Sequence, residues 1–468
     1  MRLFEACNFL CLLSLLFNGI VRATFTEEQM IEANHYRANN TDIVCFNFAF
    51  FAPSSSAGSR VMRGYMIAKA LSANPAICVH TMTAHRVRET DRLAKFLSQG
   101  NYVPVCVFVK NVLRGVMELC RRQNAFIFLD VIDSHQAVRD MKIHLLPPSG
   151  HFIPDYLLAV NATYLVQSTD LVNALVEKNV SAYYYPHQHT FPTNCTSSYI
   201  SKASSPLVVG FLSGNSKHIP NLKEQVLPGI CAVPNTVLHV INQHIDSSDL
   251  FPHYSEVNSS VYVYNCSLGE NGNYNYHILN YTTSHRDSSD EFGQAAYYLD
   301  KGLSFADVGL VWTTKTTNVS DRFDSDMLRP PTRMLHWLSR GVPVIYFPTH
   351  SYVDIARLNG YEEGLGFELR AEDVGSLTAA VSRLQDVQVR ELLSKRAKKI
   401  AAQYSVENIA KKLLEIIVAH AIACFCEKGS SVKTFVCNGE TTNEERCRQM
   451  SSLSALSGDP GGTPSNAA

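Results

Sequence analysis

Short apolar runs alternate with segments of helical spacing through the first half of the chain. The runs predict strands near 43–51, 76–81, 105–109, 125–132, 163–167 and 180–185. The segments between them place apolar residues on one helical face; they predict helices at 60–71, 88–98, 112–122 and from the fifth strand to about 178. Strands that are apolar throughout and joined by helices indicate a parallel sheet covered on both faces.

The same alternation restarts at residue 206. Apolar strands are predicted at 206–214, 237–241, 261–264, 308–312 and 342–347, and helices at 351–359, 372–384 and 388–418. The polar segment 266–290 is predicted to be a surface insertion poor in strands. We therefore expect two doubly wound α/β domains, 24–200 and 201–420, with a ligand cleft between them at the carboxyl ends of the strands.

A polar segment separates the two domains. Residues 186–206 are rich in Thr, Ser, Pro and Asn and show no periodicity, which is typical of a linker. We expect its two histidines, His187 and His189, to be polar surface residues. The same is expected of His350, which follows a strand of the second domain.

The first 23 residues have the pattern of a secretory signal peptide. Arg2 precedes an apolar run at 9–17, and Val21-Arg22-Ala23 offers small residues for cleavage. Because this run is short for a bilayer-spanning helix, a signal peptide is favoured over a signal anchor. No stable membrane span is expected, and the mature chain is expected in the lumen of the ER or Golgi or outside the cell. Each Asn-x-Ser/Thr sequon alone is weak evidence, but eight of them together with the signal peptide predict N-glycosylation of the chain: Asn39, Asn161, Asn179, Asn194, Asn258, Asn265, Asn280 and Asn318.

Composition and cysteine content indicate which partners and which cysteine states to expect. The net charge of −1 comes without a dominant basic block, so nucleic acid is not an expected partner. Four cysteines in or beside predicted elements are expected to be buried thiols: Cys45, Cys78, Cys106 and Cys120. The tail 421–468 is expected to be partly disordered. It contains no histidine, which favours disulfides over a zinc site; its cysteines are Cys424, Cys426, Cys437 and Cys447.

The stretch 328–346 carries the clearest chemical signal. Pro330 and Pro331 suit the first turn of a helix, which Gly341 ends. The start of this helix carries Arg329, Thr332 and Arg333. A helix N-terminus with cationic side chains is a natural anion site, so a phosphate-bearing ligand is predicted. The alternative is an ordinary helix–strand unit whose two arginines are solvated.

Three stretches, 206–214, 305–312 and 329–346, resemble those of the GT-B glycosyltransferases, and 396–410 is similar to the closing helices of such domains. The resemblance identifies the chain as a divergent member of that group. It implies two Rossmann-like domains facing a central cleft, with a nucleotide-sugar donor held mainly by the second. It also implies a transferase whose acceptor is a hydroxyl, on a glycan or another molecule, and which needs no cofactor beyond the sugar nucleotide.

The resemblance assigns donor-binding roles residue by residue. Where many members have Asn-Lys-Leu-x-Glu, this chain has Thr332 and Arg333 in the Asn-Lys places and His336 in the place of the Glu that binds ribose. Retaining members have another Glu eight residues earlier, where this chain has Leu328. The Glu-x7-Glu signature is therefore absent. Arg333 keeps the charge of the lysine and can bind phosphate in a bidentate manner.

Glycine turns and one strand end complete the predicted site. Gly58-Ser59 and Gly214 follow predicted strands. For Gly58-Ser59 the resemblance implies a loop close to the donor phosphates or the acceptor, and the alternative is a plain turn; for Gly214 it implies the glycine turn that opens the donor domain. Asp133 and His135 follow the fourth strand, and either is a candidate general base for an inverting transfer. For Asp133 the alternative is a helix cap. No metal site is predicted, because helix N-termini, Arg329 and Arg333 can neutralise a departing diphosphate.

Together these residues predict a glycosyltransferase of the secretory pathway that does not need a metal. The alternative from another class is a secreted, non-catalytic protein that binds carbohydrate or nucleotide on the same scaffold. The absence of both signature glutamates favours that alternative. A bilobal solute-binding protein is a weaker third possibility, against which the long helical segment 388–418 argues.

Overall fold

The structure is a computed structural model. It describes residues 46–51, 60–73, 79–84, 90–99, 102–110, 114–132, 162–177, 180–189, 206–213, 222–244, 257–268, 274–283, 306–312, 330–359, 366–368 and 374–426. These residues fall into two compact units. One contains the described residues up to Val166 together with 171–185 and those from Glu407 onward. The other contains 167–170 and 186–406.

The first unit is built on a six-stranded parallel sheet of order β2-β1-β3-β4-β5-β6. Its strands are β1 (Phe46–Phe51), β2 (Val79–Ala84), β3 (Val103–Val109), β4 (Phe126–Asp130), β5 (Thr163–Val166) and β6 (Ala182–Tyr184). Its helices are α1 (Ile67–Ser72), which extends a π-helical stretch Arg60–Met66, then α2 (Thr90–Leu97), α3 (Arg114–Arg122) and α4 (Thr169–Val176). The first two residues of α4 are grouped with the second unit. These elements match the alternation that the sequence predicts.

One cysteine prediction is wrong. Cys106 on β3 and Cys120 on α3 were expected to be buried thiols, but they form a disulfide whose Cα atoms are 6.5 Å apart. Both side chains are fully buried, because α3 packs back against the sheet after leaving β3. The other two cysteines expected to be thiols, Cys45 and Cys78, lie outside the described residues.

The long helix α10 (Val406–Cys426) packs on the first sheet through a buried histidine. His420 lies edge-on to Phe126 and Phe128 of β4, with ring centroids 5.3 Å away in both cases, and 6.1 Å from Tyr183 of β6. Burial lowers the pKa of His420 to about 4, so the imidazole is neutral at neutral pH. The second domain was expected to reach residue 420, whereas the chain is grouped with the first unit from Glu407 onward.

The second unit contains a seven-stranded sheet of order β10-β9-β8-β7-β11-β12-β13. Its strands are β7 (Leu207–Ser213), β8 (Thr236–His244), β9 (Val257–Leu268), β10 (Tyr274–Thr283), β11 (Val308–Val311), β12 (Val344–Tyr346) and β13 (Gly366–Glu368). A π-helical stretch Leu222–Val226 leads into α5 (Leu227–Cys231), and the later helices are α6 (Thr332–Ser339), α7 (His350–Leu358), α8 (Val374–Arg383) and α9 (Val387–Ala401), followed by a 3₁₀ turn, Ala402–Tyr404.

Helices cover both faces of this sheet. Val209, Phe211 and Leu238 on one face share a buried apolar cluster with residues of α5 and α8, such as Ile230 and Leu377. The alternate residues of β7 and β11 face α6 instead. A second disulfide, Cys231–Cys266, joins the end of α5 to β9. The predicted fold class, α/β with two Rossmann-like doubly wound sheets, is confirmed.

The prediction for 266–290 is wrong over part of its length. β9 continues to Leu268 and pairs antiparallel with β10, from Tyr274 to Thr283, so the segment contains a long hairpin. The missed signal was Asn271-Gly272, a dipeptide typical of tight hairpin turns, between two segments in which aromatic and aliphatic residues alternate with polar ones. The predicted helical segment 388–418 is likewise two helices, interrupted at 402–405.

The fully buried indole of Trp337 lies against the second sheet at two glycines. Gly210 of β7 and Gly309 of β11 are direct partners in the parallel register. A Cβ atom on Gly210 would come within 2.6 Å of the indole, and one on Gly309 would also overlap it. The two glycines therefore form a slot that lets α6 approach β7 and β11 closely.

Replacing Gly309 by alanine should destabilise the second unit by about 1–3 kcal/mol, the usual cost of overpacking a dense core. Gly115→Ala is the matched control, because a Cβ there meets nothing within 4 Å. It should leave stability unchanged or raise it by up to about 1 kcal/mol, since alanine is the better helix former. Denaturant unfolding measures both. Equal stability of Gly309→Ala and the unmodified protein would mean that the indole does not occupy the slot.

Stability should also fall in acid because of His420. The ordinary histidine pKa of 6.5 is lowered to about 4 in the fold, so the contribution is complete above pH 6.5 and is lost as the pH falls from 6.5 toward 4. At pH 4.5 the loss should be about 2–3 kcal/mol. Between pH 7 and pH 4.5 the His420→Leu variant should therefore lose about 2–3 kcal/mol less stability than the unmodified protein. An identical loss in the variant and the unmodified protein would contradict this assignment.

Candidate functional site

The carboxyl edge of the second sheet has a topological switch point. β8 pairs with one side of β7, and β11 pairs with the other side. In doubly wound sheets, ligands bind in the crevice at the carboxyl ends of such strands. Helix α6 connects β11 to the parallel strand β12, so its N-terminus lies at this carboxyl edge. The contact of Trp337 with Gly210 and Gly309 shows that α6 lies over the two strands that flank the switch point.

The first turn of α6 has the polarity of an anion site. Backbone N–H groups of a first helical turn have no acceptor within the helix. The preceding residue, Pro331, supplies no side-chain cap, and the first turn contains no acidic residue. The first hydrogen bond of the helix runs from the Leu335 N–H to the Pro331 carbonyl, 2.9 Å away. Thr332 and Arg333, both half-buried, begin the helix and add a hydroxyl and a cation to its positive end.

His336 lies one turn further along α6 and is 4 % exposed. Burial, with a smaller contribution from the nearby His189, lowers the pKa of His336 to about 3. The imidazole is therefore neutral across the physiological pH range. A neutral imidazole offers one donor and one acceptor, whereas the glutamate in the resembling enzymes offers two acceptor oxygens.

His187 and His189 are buried, so the prediction that they lie on the surface is wrong. Each is 2 % exposed. The ring Nε2 of His189 lies 3.0 Å from the Ala401 carbonyl oxygen, and its backbone N–H donates to the Tyr404 carbonyl at the same distance. The polar composition of 186–206 concealed these partners, because they lie more than 200 residues away along the chain.

A second missed cluster surrounds Asp354 of α7, which is 1 % exposed. Its carboxylate accepts hydrogen bonds from the Thr169 N–H at 2.6 Å, the Thr169 hydroxyl at 2.8 Å and Arg357 at 2.6 Å. Beside it, the Nδ1 of His350 lies 3.0 Å from Asp170. His350 was predicted to be an ordinary surface histidine but is half-buried and paired. These contacts hold Thr169 and Asp170 against α7.

The carboxyl edge of the first sheet contains a buried ion pair. Arg63, in the π-helical stretch after β1, donates to both oxygens of Asp130 at the end of β4, at 2.7 and 2.9 Å. The guanidinium also lies 3.7 Å from the centroid of the Tyr185 ring. Burial opposes the charge of Arg63, but Asp130 and Tyr185 raise its pKa above the ordinary value. The pair joins the π-helical stretch that begins at Arg60 to the end of β4, shortly before Asp133 in the sequence.

The structure describes three of the residues predicted for the site: Thr332, Arg333 and His336, which it places together on α6. The others lie outside the described residues: Gly58, Ser59, Asp133, His135, Gly214 and Arg329. The roles of all nine stay predictions. The described part of the chain contains no group of three or more His, Cys, Asp or Glu residues that could hold a metal ion. None of its helices is long and apolar enough to cross a membrane.

No protein-family model and no curated protein sequence matches the chain. Solved structures similar to it include a glycosyltransferase from Rickettsia africae ESF-5 (9 % identity, 80 % of this chain and 97 % of that chain, TM-score 0.44). A second, from E. coli, is named trehalose-6-phosphate and is bound with UDP-2-fluoro glucose (8 % identity, 79 % and 98 %, TM-score 0.43). A third, from Listeria monocytogenes, is assigned provisionally as a UDP-N-acetylglucosamine 2-epimerase (10 % identity, 83 % and 98 %, TM-score 0.34). With TM-scores below 0.5, these likenesses assign no activity to the chain.

Replacing Asp130 by asparagine should destabilise the first unit by about 3–5 kcal/mol, because it leaves the Arg63 charge buried without its partner. Glu118→Gln is the matched control. That carboxylate pairs with Arg121 at 2.8 Å on the exposed face of α3, and its loss should have no measurable effect. Denaturant unfolding compares the two variants. An equally small effect of both would show that the Arg63–Asp130 pair is not buried as described.

Proposed function

We propose that the chain is a glycosyltransferase that moves a sugar from a nucleoside-diphosphate donor to an acceptor hydroxyl. One observation carries the proposal: the N-terminus of α6, which begins with Thr332 and Arg333 and has no side-chain cap from Pro331, lies over the switch point between β7 and β11. A nucleotide bound in the crevice at that edge would direct its diphosphate at the first turn of the helix.

In this proposal α6 stabilises the charge that develops on the departing nucleoside diphosphate. The backbone N–H groups of the first turn and the guanidinium of Arg333 act on the phosphate oxygens, and Arg329 adds a second cation. Gly58, Ser59 and Gly214 would allow close approach of the backbone to the donor. These groups supply the neutralisation that a divalent metal gives elsewhere, so the proposed reaction needs none.

The acceptor hydroxyl must lose its proton as it attacks the anomeric carbon. Asp133 and His135, which follow β4, are the proposed general bases. Their position would depend on the Arg63–Asp130 pair, because Asp130 ends β4 only a few residues before them. Arg63 and Asp130 are therefore proposed as positioning residues of the acceptor side.

The proposed location is the lumen of the ER or Golgi, or outside the cell. The signal-peptide pattern of residues 1–23 and the eight sequons support this route. So do the two disulfides, Cys106–Cys120 and Cys231–Cys266, because such bonds persist in oxidising compartments.

A second candidate function is nucleotide or carbohydrate binding without transfer. His336 favours it, since a buried, neutral imidazole stands where the resembling enzymes have a glutamate. The transferase, and a protein that binds nucleotide without transfer, both require a nucleotide at α6. They differ in the result of incubation with a sugar nucleotide and hydroxyl acceptors. The transferase yields a nucleoside diphosphate and a transferred or hydrolysed sugar, and the binding protein yields neither.

A nucleotide that binds the folded protein should raise its melting temperature by mass action. Among a panel of nucleoside diphosphates and their sugars, we expect at least one to do so, and we expect Arg333→Ala to abolish most of the rise. Arg383→Ala, on the exposed end of α8, is the control and should respond like the unmodified protein. A rise that survives in Arg333→Ala would place the nucleotide elsewhere. No rise with any nucleotide would contradict the transferase and favour carbohydrate binding without transfer.

A further inference from the structure

The two disulfides in the described part of the chain differ in how far solvent reaches them. Cys106 and Cys120 are each 0 % exposed, between helix α3 and the first sheet. Cys231 and Cys266 are both partly exposed, at the margin of the apolar cluster of the second unit. Thiol–disulfide exchange requires direct attack of a thiolate on one sulfur of the bond. Access therefore separates the two disulfides chemically.

The chain neighbours of the second disulfide are exposed on both elements that it joins. Ala232, which follows Cys231 at the end of α5, is exposed. The residues on either side of Cys266 on β9, Asn265 and Ser267, are exposed as well. Both halves of the bond are thus bordered by exposed residues, and a thiolate has a route to the bond that does not require unfolding.

Cys266 lies in an irregular part of β9. Tyr264 is paired with both neighbouring strands, and the register with β10 resumes only at Leu268. Residues 265–267 lie between these pairs, opposite Asn275 alone, so β9 has a bulge there. Cys266 has a φ of 59°, in the left-handed region that is unfavourable for a residue with a Cβ atom. Opening the bond would let Cys266 leave this conformation, so relief of backbone strain favours the reduced form.

Other contacts would hold α5 and β9 in place after reduction. The Thr378 hydroxyl of α8 donates to the Gly229 carbonyl of α5 at 2.9 Å. Leu377 packs so closely that a Cβ on Gly229 would lie 2.8 Å from its Cδ2 atom. β9 is paired with β8 along its length from Tyr264 back to Asn258. Since these contacts do not involve the disulfide, the second unit should stay folded without it.

We propose that Cys231–Cys266 is a thiol-exchange site, which a dithiol opens while the protein stays folded, and that Cys106–Cys120 is a permanent bond. One thiolate of the dithiol attacks a sulfur of Cys231–Cys266 and forms a mixed disulfide. The other cysteine leaves as a thiolate and takes up a proton. The second thiol of the dithiol then loses its proton and attacks the mixed disulfide, which releases the remaining cysteine. The protein gains two electrons and two protons, and the dithiol loses them and becomes a cyclic disulfide.

Treatment of the folded full chain with dithiothreitol tests the proposal. Free thiols are blocked beforehand, and newly formed thiols are alkylated and located by peptide mass spectrometry. We expect Cys231 and Cys266 to be alkylated at least about ten times faster than Cys106 and Cys120, because attack on the buried bond requires local unfolding first. The faster rate should be proportional to the dithiothreitol concentration, and the native circular dichroism should persist. Equal rates for both bonds, a rate independent of dithiothreitol, or loss of the native spectrum on reduction would overturn the proposal.

Substitution of the exposed Ala232 tests where the thiolate attacks. A positive charge beside Cys231 should attract the thiolate, and a negative charge should repel it. At low salt, Ala232→Lys should therefore raise the reduction rate of Cys231–Cys266 about twofold, and Ala232→Glu should lower it by a similar factor. Ala232→Gln is the matched control and should react like the unmodified protein. Equal rates in the two charged variants would overturn attack at this exposed face. Neither readout involves nucleotide binding, so failure of the donor site would leave both results intact.

Discussion

The indole of Trp337 determines how closely helix α6 lies against the second sheet, and the proposed donor site depends on that distance. Two glycines that are partners across β7 and β11 leave room for the ring. A side chain at either position would separate the helix from the sheet. Those strands flank the switch point. The contact of Trp337 with the two glycines therefore packs the core and also positions the N-terminus of α6 at the carboxyl edge of the sheet. Packing and ligand recognition therefore rest on one helix.

The first unit has a comparable contact, but it is electrostatic. Arg63 and Asp130 are 1 % and 2 % exposed and join the segment after β1 to the end of β4. A buried pair of this kind adds little net stability, yet it is costly to break, so its main effect is to fix geometry. The residues proposed for proton transfer follow directly from this fixed strand end.

Much of the fold could be predicted from the sequence, because the central strands of both sheets, such as β1, β3, β7 and β11, are largely apolar runs. The strand–helix alternation and the doubly wound class follow from that pattern alone. The β9–β10 hairpin was missed because sequons and other polar residues lowered its apparent strand character, although the dipeptide Asn271-Gly272 is typical of hairpin turns. The Cys106–Cys120 disulfide was missed because both cysteines fit equally well as buried thiols.

The site could be predicted only in part. The helix start with Thr332 and Arg333 has a local signal, in its prolines and cations. The contacts of Arg63 with Asp130, of His189 with Ala401 and of Asp354 with Thr169 have none, since each joins residues that are far apart in the sequence. Such pairs can be recognised only in the folded structure, where residues that are distant in the sequence lie close together.

The central claim is that a donor diphosphate binds at the N-terminus of α6. It is tested most directly by an experimental structure of the protein with the nucleoside diphosphate that stabilises it most. The account predicts phosphate oxygens within hydrogen-bonding distance of the backbone N–H groups of the first turn and of the Arg333 guanidinium. A nucleotide bound away from α6, with no phosphate contact to that turn, would contradict it.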